Sequence, residues 1–313
     1  EEEIGSPHLA DFIENNKRLL RSDVALLSDT AMPKPHLPAI AYGLRGVLYA
    51  ELTVSHAVGD LHSGNYGGSM KSALQILCEL ICRLFRADGS IAIEGFYESV
   101  EKPKPFEAAY IRQNLARLTA MPYDPNLPLP PPGGEQAKSY YERTALRPSL
   151  TVAGIGGGYG EAGLKAVAPS EATAKLDFRL SPRQDPERIF RLLHDWVDRR
   201  LPPGYGFDLK KLMALPAVVE NTRHPAIRAA KSALREVFGT PPLLLRSGGT
   251  VPVVHLIKKS LGIPVVMMGF GLPADHIHAP NERFYLPNFF KGIAASRRFL
   301  EYLSLHSIQT NNF

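Results

Sequence analysis

Apolar residues recur along this chain at two spacings, and the change from one to the other marks its elements. Leu9, Phe12 and Ile13, behind Ser6-Pro7, fall at helical intervals and predict a helix over residues 7–20. Val24 to Leu27 is a short apolar run, read as a buried strand ending at Ser28-Asp29-Thr30. Val47 to Val54 alternates in part and predicts another strand. A glycine-dense turn, His62 to Gly68, then leads into a helix predicted over 70–86. Prolines 103, 105, 122, 125, 128 and 130–132, followed by Gly133-Gly134, predict a loop. Beyond it, 150–152 and 172–180 read as strands, and 185–200 as a helix with Ile189, Leu192, Leu193 and Trp196 apolar.

The order strand, helix, strand, strand, helix, strand is that of a small α+β sandwich, with helices on one face of an antiparallel sheet. From about Pro216 the pattern changes. A helix over 225–238 ends at Gly239, core strands are expected at 243–245 and 265–268, and a last helix spans 287–304. The expected class is therefore α/β, with residues 1–43 and 216–313 forming a discontinuous domain and residues 44–215 an inserted one.

Composition narrows the function classes. With 44% hydrophobic and 21% charged residues the chain reads as an ordinary globular protein of about two domains. No apolar run approaches the roughly 18 residues of a membrane span. The net charge of +5 is scattered, without a Lys/Arg block or an aromatic-basic stripe, so no nucleic-acid partner is expected. The only cysteines, Cys78 and Cys82, lie in an apolar helical stretch and are read as buried small hydrophobes, which fits a reducing, cytoplasmic setting. The chain opens on Glu1 rather than Met, so any targeting signal is expected upstream.

Four polar clusters bordered by glycine or proline could carry chemistry. Glu1-Glu2-Glu3-Ile4-Gly5-Ser6 could equally be solvated charge before a helix. Asp29 ends an apolar strand, where catalytic groups concentrate in α/β sheets but turn residues do too. His62 stands in the glycine turn, as a presented ring or a hydrogen-bonding turn residue. Asp275-His276-Ile277-His278 sets two histidines beside carboxylates, a pattern open to metal binding.

Taken together and in order, these motifs resemble the metal-dependent peptidase family of carnosinases, cytosolic dipeptidases, aminoacylases and bacterial deacylases. The likeness rests on Glu2-Glu3-x-Gly5-Ser6, Ser28-Asp29, Asp60-x-His62-Ser63-Gly64-x-Tyr66-Gly67-Gly68 and Phe178-Arg179-Leu180-x-Pro182. Arg246-x-Gly248-Gly249-Thr250-x-Pro252 and His278-x-x-Asn281-Glu282 complete it. It implies a zinc-exopeptidase-like catalytic domain with an inserted ferredoxin-like dimerisation or lid domain, and a homodimer formed through that insert. It also implies two divalent ions, Zn²⁺ foremost with Mn²⁺ or Co²⁺ as alternatives, that activate a water. By position, Glu2 matches the general base, and Glu3, Asp29 and His278 match metal ligands. His62 matches the histidine that reaches a developing oxyanion. Arg179, with Gly249 and Thr250, matches the grip on the substrate's terminal carboxylate, and His224 a further substrate-side histidine. His276 is left as structural.

The family's His-x-Asp ligand and its bridging Asp have no counterpart here. The chain is thus expected to be an N-terminally truncated and inactive part of a dipeptidase. Two other readings stand beside it: an N-acyl amino-acid deacylase on the same site, and a non-catalytic dimerisation module.

Overall fold

A computed structural model describes residues 6–118 and 133–310. In chain order the elements are α1 (Leu9–Asn15), β1 (Ala25–Leu27), β2 (Ala39–Leu44), β3 (Gly46–Ser55), β4 (Leu61–His62), α2 (Ser63–Tyr66), α3 (Ala73–Arg83) and α4 (Pro105–Leu118). A π-helical turn (Glu142–Leu146), β5 (Ser149–Gly157), β6 (Val167–Ala168), β7 (Glu171–Leu180), α5 (Pro186–Asp198) and β8 (Gly206–Leu215) follow. The chain closes with β9 (Val218–Val219), α6 (Pro225–Phe238), β10 (Leu243–Ser247), α7 (Pro252–Leu261), β11 (Val265–Met267) and α8 (Leu286–Thr310).

Local chemistry explains most boundaries. The Asn16 side-chain amide donates back to the Phe12 carbonyl at 2.8 Å, and α1 stops well before residue 20. Asp185 accepts the Glu187 and Arg188 amides to start α5 behind Pro186, and Gly239 ends α6 in the left-handed region at φ 69°. Two expectations are corrected here. Part of the proline-rich loop is helix α4: Pro105 stands at its first position, where the fixed φ suits a helix and no amide is needed. Residues 119–132 of that loop lie outside the described residues. The two cysteines are exposed, not buried. α3 turns Ala73, Ile76, Leu77 and Leu80 to the core, and Cys78 and Cys82 are each rotated by a helical step or two off that face.

Four strands, in the order β5-β7-β3-β8 and antiparallel throughout, form one sheet. α3 and α5 cover one face, burying Leu48, Leu52, Phe96, Phe178 and Trp196. Because side chains alternate along a strand, Tyr49, Asp177 and Arg179 are turned to the opposite face. The second sheet runs β1-β11-β2-β10, with β9 also on β2. Ile40 and Val266 pack under α6 and α8 on one side, while Ala41, Val265 and Met267 pack against α7 on the other. A sheet covered on both faces explains why all six residues of β2 are buried.

Only Arg45 separates β2 in one sheet from β3 in the other. The return crossing passes the same point, since a Cβ on Gly46 would sit 2.7 Å from the Leu215 carbonyl oxygen and the Ala217 amide nitrogen. Among the described residues, no helix is long and apolar enough to cross a membrane.

Candidate functional site

The alternation that buries Phe178 and Leu180 presents Arg179 and Asp177 side by side on the open face of β7. The register sets Tyr49 opposite Asp177 and Val47 opposite Arg179. The guanidinium is consequently fixed on several sides. Asp177 lies along one edge, with Oδ1 3.0 Å from Nε and Oδ2 accepting from Nη2 at 3.0 Å. Tyr49 Oη accepts from Nη2 at 2.6 Å, and Thr250 Oγ1 accepts from Nη1 at 3.3 Å. Thr250 comes from the loop after β10, so the contact joins the two sheets. Arg179, Tyr49 and Thr250, with Pro252 and His278, line a cavity of about 320 Å³. The Nη1 end, rather than the fork taken by Asp177, is the end left to meet a ligand.

Arg45 fixes the loop from beneath. Its Nε donates to the Gly248 carbonyl at 2.9 Å, and its Nη1 to Ser149 Oγ at 3.0 Å and the Arg147 carbonyl at 3.2 Å. Its own carbonyl accepts from Thr250 Oγ1 at 2.7 Å, which aims that hydroxyl's lone pairs toward Arg179. Burial, with the nearby Arg179 charge, pulls the Arg45 pKa down to about 10, so Arg45 remains charged at neutral pH. Gly248 is required here: a Cβ on it would meet the Thr144 carbonyl oxygen at 2.2 Å.

A buried triad lies behind this loop. Arg246 Nη2 stands 2.8 and 3.0 Å from the two Glu107 carboxylate oxygens, and the Tyr42 hydroxyl donates to the same carboxylate. Burial and that carboxylate push the Tyr42 phenol far above its ordinary pKa, which keeps it a donor. Arg45, Arg246, Ser247, Gly248 and Thr30 line a second cavity of about 290 Å³.

The remaining sequence-derived candidates fall in different places. Thr250 and His278 share the cavity of Arg179. Gly249 is exposed in the same loop, its amide on Ser247 Oγ at 3.3 Å. His62 lies apart from them on the short antiparallel β4–β6 pair, exposed, with Nδ1 accepting from the Gly64 amide. His224 caps α6, its Nδ1 accepting from the Ala226 amide at 3.2 Å. Asp29 is exposed two residues beyond β1. Glu2 and Glu3 lie outside the described residues. Among the described residues no three His, Cys, Asp or Glu side chains come close enough to hold a metal ion. Asp29 and His278 offer one carboxylate and one imidazole, which is fewer donors than a zinc or manganese centre takes. The described residues alone therefore do not fit a metal.

A family model described as "Peptidase dimerisation domain", of the M20 group, matches residues 42–204, just over half of the chain. The chain belongs to the M20 peptidase family. This M20 chain is similar to the Cys-Gly metallodipeptidase dug1 of Schizosaccharomyces pombe, with 29% identity over 93% of the chain and 62% of the relative. It is similar to the human Beta-Ala-His dipeptidase at 28% identity, over 97% of the chain and 61% of the relative. Among solved structures, the M20 metallo-carboxypeptidase Sso-CP2 from Sulfolobus solfataricus superposes with a TM-score of 0.81 at 29% identity, covering 96% of this chain and 68% of that one. The M20 chain thus spans about three-fifths of the curated relatives it matches. Its mixed α/β architecture is that of M20 metallopeptidases with their dimerisation domain.

Sequence reasoning missed Arg45, Tyr49, Asp177 and the Tyr42–Glu107–Arg246 triad. A signal existed for Asp177, a carboxylate two residues before Arg179 and so on its face of the strand. Nothing local marks Arg45 or Glu107, whose partners lie between 65 and 203 residues away for the Tyr42, Arg246 and Gly248 contacts.

Proposed function

We propose that this chain contributes the dimerisation domain and the substrate-carboxylate grip of a metal-dependent dipeptidase. The observation that carries the reading is Arg179, braced by Asp177 and Tyr49 and joined to Thr250 in one cavity with His278. A fixed, charged donor suits a free terminal carboxylate, the group that distinguishes a dipeptide from an internal peptide segment. The names of the relatives support dipeptides; nothing among them supports an N-acyl substrate.

In the proposed enzyme, residues 44–215 are the inserted dimerisation domain and residues 1–43 and 216–313 belong to the catalytic one. The ordered motifs support Glu2 as the base, Glu3, Asp29 and His278 as ligands of two divalent ions, with zinc foremost, and His62 as the oxyanion donor. Because His62 stands away from the Arg179 cavity, this role supports a homodimer in which it reaches the partner's site. The motif match supports Gly249, next to Thr250 in the same loop, as a further contact to that carboxylate. His224 keeps a substrate role only beside its capping one. The same donor count supports carboxylate binding without turnover by this chain alone.

The test is binding of a dipeptide such as Cys-Gly or β-Ala-His against its C-terminal amide, by calorimetry. The dipeptide binds, while the amide, and the dipeptide with Arg179→Ala, bind about tenfold or more weakly. Equal affinity for acid and amide would remove the basis for the reading.

A further inference from the structure

A cavity of about 470 Å³ opens where the start of α4 faces the π-helical turn. Its floor is apolar, with Ala108, Ile111 and Leu146, and its wall carries three carboxylates and six cations. The carboxylates are all committed. Glu101 pairs with Arg183 at 2.9 Å, Glu107 belongs to the triad, and Glu142 accepts from the Ser139 amide and hydroxyl at 2.9 and 2.8 Å. Two of the cations are also committed: Arg246 to Glu107, and Arg147 to Glu135 through bonds of 2.6 and 2.8 Å.

Four cations remain. Lys102, Lys104, Arg112 and the half-buried Lys138 have no carboxylate within ion-pair distance among the described residues, although the chain pairs charges freely elsewhere. Like charges gathered in a concavity with low-dielectric walls repel one another and focus a positive field into it. The amino end of α4 borders the same space, and its unbonded amides add to that field. Such a cluster is stabilised when an anion of several charges settles among the four groups.

We propose that this cavity is a binding site for a small polyanion of the phosphate or polycarboxylate type. It is separate from the residues assigned to the substrate carboxylate and does not depend on the peptidase reading.

The test is calorimetry on the full chain at low salt with pyrophosphate, with citrate and, as a monovalent control, with acetate. Saturable binding of pyrophosphate or citrate near one per chain is expected, about tenfold weaker in Lys104→Glu and in Lys138→Glu. Lys231→Glu, on the exposed face of α6, should leave it unchanged. Tighter pyrophosphate identifies a phosphorylated ligand, and tighter citrate a polycarboxylate. Failure of both to saturate by about 1 mM would overturn the proposal, as would an equal loss in Lys231→Glu. Circular dichroism checks folding, with Lys104→Gln and Lys138→Gln as milder replacements should either reversal unfold the chain.

Discussion

Glu107→Gln is the most informative perturbation of the fold. The side chain is 5% exposed and its partner Arg246 17%, so the change strands a cation in a largely dry setting. Breaking a buried pair from one side costs about 3–5 kcal/mol. Glutamine keeps an acceptor for the Tyr42 hydroxyl, which places the expected loss near the lower end, about 3 kcal/mol. For a chain of this size that corresponds to a drop in Tm of roughly 5 °C, read by thermal denaturation. Tyr42→Phe removes a hydrogen bond to a charged acceptor, about 1.5–3 kcal/mol. Because both changes act on one carboxylate, the double variant should lose less than the two losses added. Replacing Glu107 and Arg246 together by Met should recover most of the stability, since no unpaired charge is left. A loss below about 1 kcal/mol in Glu107→Gln, or full additivity with Tyr42→Phe, would refute the triad as a coupled unit.

Gly248→Ala drives a Cβ to 2.2 Å from the Thr144 carbonyl oxygen and should cost about 1–3 kcal/mol in urea denaturation. Gly249→Ala, whose Cβ would meet nothing nearer than Ser247 Oγ at 3.8 Å, should be tolerated. Burial, and then Lys259, hold the half-buried His255 below its ordinary pKa. The unfolded chain therefore takes up that proton at higher pH than the folded one, and stability falls as pH drops from above the unfolded value toward the folded value. The urea midpoint should be lower at pH 5.5 than at 7.5, and His255→Gln should reduce the difference.

The sequence was most readable where one element carries its own pattern. The 2.0 spacing of β3 and β7 and the 3.6 spacing of α5 and α6 follow from which face is buried, and capping residues set their ends. It was least readable where burial is two-sided or partners are distant. β2 shows no alternation because both of its faces are covered, and α4 was masked by prolines that suit a helix start as well as a loop. Cys78 and Cys82 looked buried because their neighbours are apolar, yet the helix turns them outward.

By itself the sequence determined the motif order that marks an M20 peptidase and the succession of strands and helices, since both are local properties of the chain. Only the tertiary structure decided which of those motifs meet. It placed Thr250 and His278 with Arg179, set His62 and His224 elsewhere, and gave Asp177 the arginine edge expected for a substrate. The physical reason is that strand register and the double crossing at Arg45 bring together residues far apart in the chain, and nothing in a local pattern encodes that distance.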